Sequence, residues 1–211
     1  MFHDRMDAGR QLALRLLDLR DHTGPVMVWG IPRGGVIVAG EVARALHVPL
    51  DVCLTHKIGA PDNAELAIGA VADDGTTILD RWLLAELDVP PQYIEREIER
   101  WRQELTRRAA AYRAGREKAI VRGADVVVVD DGVATGATLM AALRSARTAE
   151  VQTVIAAVPV GPVETIQRLG READRVECLL TPHYFRAVGQ FYHSFEQVSD
   201  EEVIAAMHND Q

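Results

Sequence analysis

The sequence predicts an α/β fold: a parallel, twisted sheet flanked by helices, with a flexible flap and a small C-terminal hood. Three observations carry that prediction. Short runs rich in β-branched residues, "PVMVWGI", "ADVVVVD" and "TVIAAVPV", read as buried strands. Each runs into a small-residue or proline turn and then an apolar pattern of helical period, the alternation that builds parallel sheets. A length of 211 residues, 48% hydrophobic and 26% charged, suits one well-buried globular domain.

Taken in order, the chain opens with a helix over residues 7–19, where Leu12, Leu16 and Leu19 fall at helical spacing. "PVMVWGI" is the first strand and ends in the punctuation Pro32-Arg33-Gly34-Gly35; "VIVAGEVARAL" is the helix that packs on it. "LDVCLTHKI" is expected to form a second strand. Residues 58–80 then break the rhythm, because two short apolar runs flank Asp73-Asp74-Gly75, a hairpin signal. They form an antiparallel excursion or a mobile flap. Glu65 lies within it, as a functional group or a solvated one.

Pro90-Pro91 opens a long charged helix, making residues 90–115 a helical insertion. Ile94, Ile98, Trp101, Leu105, Ala109 and Tyr112 form its apolar stripe, and Gly115 is its expected stop. Arg96, Arg100, Arg107 and Arg113 share the opposite face with glutamates, as a solvated face, a subunit contact or a basic rim. Strand, helix and strand follow, then a helix opened by Pro162 and a last strand, "RVECLL". Residues 181–211 are aromatic-rich and then acidic, and read as the hood. The whole chain, 1–211, is expected to be one domain.

Several functions are excluded at this level. No apolar run approaches the roughly 20 residues that span a bilayer, and the first residues lack a basic-then-apolar signal, so a cytoplasmic protein is expected. A net charge of −8 without a basic stripe argues against nucleic acid or an anionic membrane as partner. Cys53 and Cys178 sit in apolar stretches and read as buried thiols.

The informative stretch is "VVVVDDGVATGAT", residues 126–138. A small-residue turn that opens a helix after a parallel strand aims several backbone N–H groups into one concavity, where the helix dipole favours an anion. It lacks the Gly-Lys-Ser/Thr of a Walker loop and the Gly-x-Gly-x-x-Gly dinucleotide spacing. Asp130 and Asp131 would repel a polyphosphate lying over them, but suit vicinal hydroxyls or a hydrated metal. A ribose 5-phosphate meets both demands. Taken singly, Asp130 also reads as a helix cap and Asp131 as a solvated turn residue.

The same stretch resembles the 5-phosphoribosyl 1-pyrophosphate (PRPP) motif of type I phosphoribosyltransferases. "IPRGGVIVAGEVARAL" resembles that family's pyrophosphate loop; "HKIGAPDNAELAIGAV" and "TPHYFRAVGQFYHSF" resemble a subgroup of unassigned acceptor. The resemblance spans nearly the whole chain and implies a type I phosphoribosyltransferase-like fold with a Rossmann-like core. It implies Mg²⁺-dependent transfer of phosphoribose from PRPP to a nitrogenous acceptor, a nucleobase, with pyrophosphate released. The alternative is a PRPP- or nucleotide-sensing regulator with little turnover.

Carried onto this chain, the resemblance makes Asp130 and Asp131 ligands of the ribose hydroxyls that orient Mg²⁺ through water. Ala134, Thr135, Gly136, Ala137 and Thr138 would hold the 5-phosphate, and Arg33, Gly34 and Gly35 the pyrophosphate. Lys57 joins the pyrophosphate or stays a surface lysine. Phe185, Phe191 and Tyr192 stack on the acceptor or simply pack the tail. In relatives the pyrophosphate loop often carries a cis non-proline peptide. Ala134 departs from the purine and orotate members, which often have an aspartate there near the base. Relatives are often homodimers.

Overall fold

The computed structural model describes residues 1–208, with all their side chains except that of Glu65. The last three residues of the predicted hood and the Glu65 carboxylate therefore lie outside the described residues. Five strands form one parallel sheet in the order β2 (Leu50–Val52), β1 (Val26–Gly30), β6 (Asp125–Val129), β7 (Thr153–Val160) and β8 (Arg175–Leu180). Period-two alternation sorts its side chains onto two faces. Val28, Val127, Val129 and Ile155 join the core under α1 (Arg5–Ala13) and α2 (Gly34–Leu46). Trp29, Val126, Val128 and Val158 join the opposite core under α5 (Ala137–Thr148). Helices on both faces explain why β6 is apolar at every position after Asp125.

The first helix is shorter than its leucine spacing predicts. Asp4 caps α1 by accepting the Asp7 N–H at 2.8 Å, α1 stops at Ala13, and a separate 3₁₀ turn covers Leu17–Leu19. Leu12, Leu16 and Leu19 still point into one core, which is the property the spacing reports.

"LDVCLTHKI" is two strands, not one. β2 ends where its partner ends: Cys53 N–H donates to the Gly30 carbonyl at 3.0 Å, and β1 then gives way to Ile31-Pro32. With no further partner, the chain leaves the sheet and β3 (Thr55–Ala60) pairs antiparallel with β4 (Asn63–Ala72), which pairs with β5 (Thr77–Leu79). The Asp73-Asp74-Gly75 turn joins β4 to β5, with Gly75 at φ 87°. That turn is docked. Asp73 faces Arg113 at 3.3 Å and Lys118 at 3.6 Å, and Ser145 Oγ of α5 donates to Asp74 at 2.7 Å. The exposed tip of this sheet is Pro61-Asp62.

After the short α3 (Arg81–Glu86), the long helix α4 runs Pro91–Arg113. Its C-terminal left-handed residue is Ala114, at φ 46°, one position before the expected glycine. Leu105, Ala109 and Tyr112 are buried, and Ile94, Ile98 and Trp101 are partly covered by the same core. Arg113 leaves the exposed arginine face. It is 7% exposed, donating Nε to Asp51 at 2.8 Å and Nη2 to the Val52 carbonyl at 3.1 Å. Asp51 also accepts the Ala119 N–H, so one buried carboxylate ties α4, β2 and the chain after α4 together. α6 (Val163–Leu169) and α7 (Asp200–His208) complete the elements. No helix of the described residues is long and apolar enough to cross a membrane.

Removing Arg113 strands Asp51 and Asp73 as buried carboxylates without their guanidinium. Arg113→Ala is expected to cost about 3–5 kcal/mol in urea unfolding, whereas Arg107→Ala on the exposed face leaves the midpoint unchanged. A small loss for Arg113→Ala would show that water reaches both acids.

Candidate active site

β1 and β6 pair side by side, and from their C-terminal ends the chain runs to opposite faces of the sheet, into α2 and α5, which is the point where open α/β sheets form a ligand crevice. Asp130 and Asp131 follow the end of β6. The turn after β1 packs directly over them: a Cβ on Gly35 would lie 2.8 Å from Asp130 Cα, and one on Gly34 would collide with the Asp131 carboxylate. The two glycines are therefore required by the closeness of the acids as much as by any ligand. The peptide between Pro32 and Arg33 in this turn is cis.

Asp130 Oδ1 accepts the Asp131 N–H at 2.8 Å. Burial, and then the charge of Asp131, push the Asp130 carboxyl well above the usual carboxylate range. Asp131 is also raised by burial, against the pull of Arg5. Arg5 comes from α1, donating Nε to Asp131 Oδ2 at 2.7 Å and Nη1 to the Glu196 carbonyl at 2.8 Å. Its guanidinium lies 3.8 Å from the Phe195 ring centroid. Sequence reasoning missed this residue. An arginine in the first helix looks like any surface cation until the fold brings it to β6.

Beyond the acids the chain turns through Ala134 and Thr135, both exposed, into α5. Gly136 occupies the helix cap at φ 76°, and no side chain caps the helix. Of its first-turn N–H groups, that of Ala137 reaches the Thr135 hydroxyl at 3.5 Å, a long contact, and such a helix start suits an anion. The turn is braced from outside: Thr165 Oγ1 donates to the Ala134 carbonyl at 2.7 Å and Arg168 Nη2 to that of Thr135 at 3.0 Å. Thr55, opening β3, donates to the Thr138 carbonyl at 3.2 Å. Thr165 and Arg168 were also not anticipated. Their signal is the Thr-x-x-Arg spacing on α6, which places both on one helical face.

Arg33 caps α2 from the turn after β1, 40% exposed, with Nη1 3.9 Å from Asp200 of α7. Lys57 lies mid-strand in β3, half-buried. The predicted aromatic surface divides. Phe185 and Phe191 stack at 5.5 Å between centroids. Tyr192 is 6% exposed, packs on Phe2 and Phe195, and donates its hydroxyl to the Asp131 carbonyl at 2.5 Å. Its ring belongs to packing, not to an open stacking surface, because the first residues of the chain cover it: Phe2 N–H donates to the Phe191 carbonyl and His193 N–H to the Phe2 carbonyl.

Replacing Arg5 tests the charge balance. A carboxyl whose pKa is raised on folding costs stability at neutral pH; the cost shrinks as pH falls below the folded value and is gone below the unfolded one. Arg5→Gln raises Asp131 further, so the variant is expected to lose about 3 kcal/mol near neutrality. The gap to the parent should narrow on acidification toward the ordinary carboxylate value of 3.8. A gap independent of pH, by urea unfolding, would show that Arg5 acts through packing on Phe195 instead.

The family model for the phosphoribosyl transferase domain matches residues 2–195. The crystal structure of TT1426 from Thermus thermophilus is 46% identical, covers 99% of this chain and 98% of its own, and superposes with a TM-score of 0.85. A Mycobacterium tuberculosis H37Rv protein named "Putative phosphoribosyl transferase Rv0571c" is 45% identical over 205 residues, covering 97% of this chain and 46% of its own. The chain thus spans about half the length of the curated relatives it matches. A hypothetical protein from Neisseria gonorrhoeae, solved with bound ppGpp, shares the fold at 15% identity and a TM-score of 0.50, covering 100% of this chain and 97% of that one. With the family model matching nearly the whole chain, the chain belongs to the phosphoribosyl transferase domain family.

Proposed function

We propose that this chain transfers phosphoribose from PRPP to a nitrogenous acceptor, a nucleobase, releasing pyrophosphate. One observation carries the reading: the Asp130-Asp131 pair lies between the uncapped start of α5 and the glycine turn after β1. A diol thereby falls between two anion seats, which is the charge order of a ribose carrying phosphate at one end and pyrophosphate at the other. α5 and the Thr135 and Thr138 hydroxyls hold the 5-phosphate. Arg33, the Gly34–Gly35 backbone and Lys57 hold the pyrophosphate, where fixed cations meet the negative charge that develops on the leaving group. The acids face the ring, where positive charge develops.

Magnesium fits this site only as an ion shared with the ligand. No three His, Cys, Asp or Glu side chains among the described residues gather to hold a cation. A carboxylate pair beside a diphosphate suits Mg²⁺, which keeps its waters and binds through one or two carboxylates and substrate phosphates. Asp130 and Asp131 would hold it, and it would neutralise pyrophosphate charge. The Phe185–Phe191 pair is the proposed stacking surface for the planar acceptor. Ala134 supplies no carboxylate to deprotonate it.

A second reading, a PRPP- or nucleotide-sensing protein, is favoured by the Arg5–Asp131 pair and by Ala134. Calorimetric titration with PRPP, with and without Mg²⁺, followed by pyrophosphate release with a panel of bases, separates the two. Mg²⁺-dependent binding with release supports the transferase; binding of PRPP, or of ppGpp as the Neisseria protein binds it, without release supports the sensor. No binding at millimolar PRPP sinks the transferase, and no binding of either PRPP or ppGpp sinks the sensor.

Asp130 gives the sharper mutational test. Its raised carboxyl costs stability at neutral pH, so Asp130→Asn should leave the melting temperature unchanged or higher while weakening PRPP about tenfold or more, ~1.4 kcal/mol. Unaltered PRPP affinity would remove Asp130 from the ribose.

A further inference from the structure

One stretch of the α4 charged face is the wall of a cavity. About 240 Å³ is enclosed between Arg33 in the turn after β1, Thr55 and His56 at the start of β3, and Arg108 and Tyr112 of α4, with Asp200 of α7 at the rim. Arg33 and Arg108 present two guanidinium groups there, 40% and 47% exposed. Arg108 donates Nε to Glu104 at 2.6 Å, and its terminal nitrogens make no hydrogen bond among the described residues. His56 stacks on Trp101 with centroids 3.3 Å apart. Burial, then Arg108, Lys57 and Arg100, push its pKa down to about 4 against the weaker opposing charge of Glu97. At neutral pH it is an uncharged hydrogen-bonding group in a positive field. The facing carboxylates are accounted for: Glu104 is shared by Arg107 and Arg108, and Asp200 accepts the Tyr112 hydroxyl at 2.6 Å while standing 3.9 Å from Arg33.

Two planar guanidinium forks around a small polar cavity match the paired anionic oxygens of a diphosphate. The position matches as well. Thr55 lines the cavity and also donates to the Thr138 carbonyl, so cavity and phosphate turn share a wall. We propose that Arg108, from the inserted helix, is a specificity-determining ligand that grips the diphosphate of PRPP with Arg33, displacing the Asp200 carboxylate from Arg33. The inference rests on the transferase reading and adds to it a binding residue outside the sequence motifs.

Calorimetric titrations of the full chain with pyrophosphate, PRPP and ribose 5-phosphate test it, in the presence of Mg²⁺ and with Arg108→Gln and Arg107→Gln variants. Arg108→Gln is expected to weaken pyrophosphate and PRPP roughly ten- to hundredfold, as for loss of a charge-assisted pair, and to leave ribose 5-phosphate alone. Arg107→Gln, on the same helix but outside the cavity, should alter none of the three. Parental affinity for pyrophosphate and PRPP in Arg108→Gln would return Arg108 to the solvated face. Equal weakening of all three ligands would show that it acts through the fold. If the unaltered chain binds ribose 5-phosphate but not pyrophosphate, the cavity falls and the phosphate turn stands. If it binds none of the three, the transferase reading falls as well.

Discussion

Two adjacent, largely buried carboxylates at the end of a central strand constrain everything around them. Water does not neutralise them there, so the fold must. Arg5 reaches across from α1, the Asp131 amide turns back onto Asp130, and Tyr192 fixes the Asp131 carbonyl. Two of these partners come from distant parts of the chain, Arg5 from 126 positions away and Tyr192 from 61. The N-terminal helix and the C-terminal hood therefore converge on β6 and on each other, through Phe2 and Tyr192. Close approach of the first turn needs residues without a Cβ, which is why glycine stands at 34 and 35. Such an arrangement costs stability, and its concentration in one crevice is what a ligand site requires.

A second buried charge cluster does architectural work by the same physics. Arg113 sits between Asp51 of the parallel sheet and Asp73 of the antiparallel one. The two sheets share no strand, so this guanidinium and the Ser145–Asp74 hydrogen bond hold the smaller sheet at its base. Toward the opposite end, Tyr93 of α4 donates its hydroxyl to the Gly59 carbonyl at 3.0 Å, two positions before the exposed Pro61-Asp62 tip.

What could be read from residues alone follows from how local its determinants are. The β6–α5 stretch was legible because strand period, acid pair and helix-opening turn all lie within thirteen consecutive residues. The break between β2 and β3 was not, because it depends on where β1 stops. Arg113 could not be told from Arg107 on a helix of alternating charges; only its partner 62 positions away distinguishes them. Arg5 was hidden for the same reason. Tyr192 shows the limit for aromatics: a cluster that packs and a cluster that stacks on a ligand have one composition, and Phe2, at the other end of the chain, decides between them.

On the proposed reading, charge order, more than charge total, would determine how this crevice receives an anion. The chain carries a net −8, yet fields from distant surface groups are screened within about 10 Å at moderate salt. A ligand entering between α5 and α2 meets the uncapped helix end on one side and Arg33 with Arg108 on the other. Between them lies the carboxylate pair. A polyphosphate stretched across the middle would place its charges over Asp130 and Asp131, whereas a sugar with anions at both ends keeps its hydroxyls there. On that reading the acids would select by exclusion.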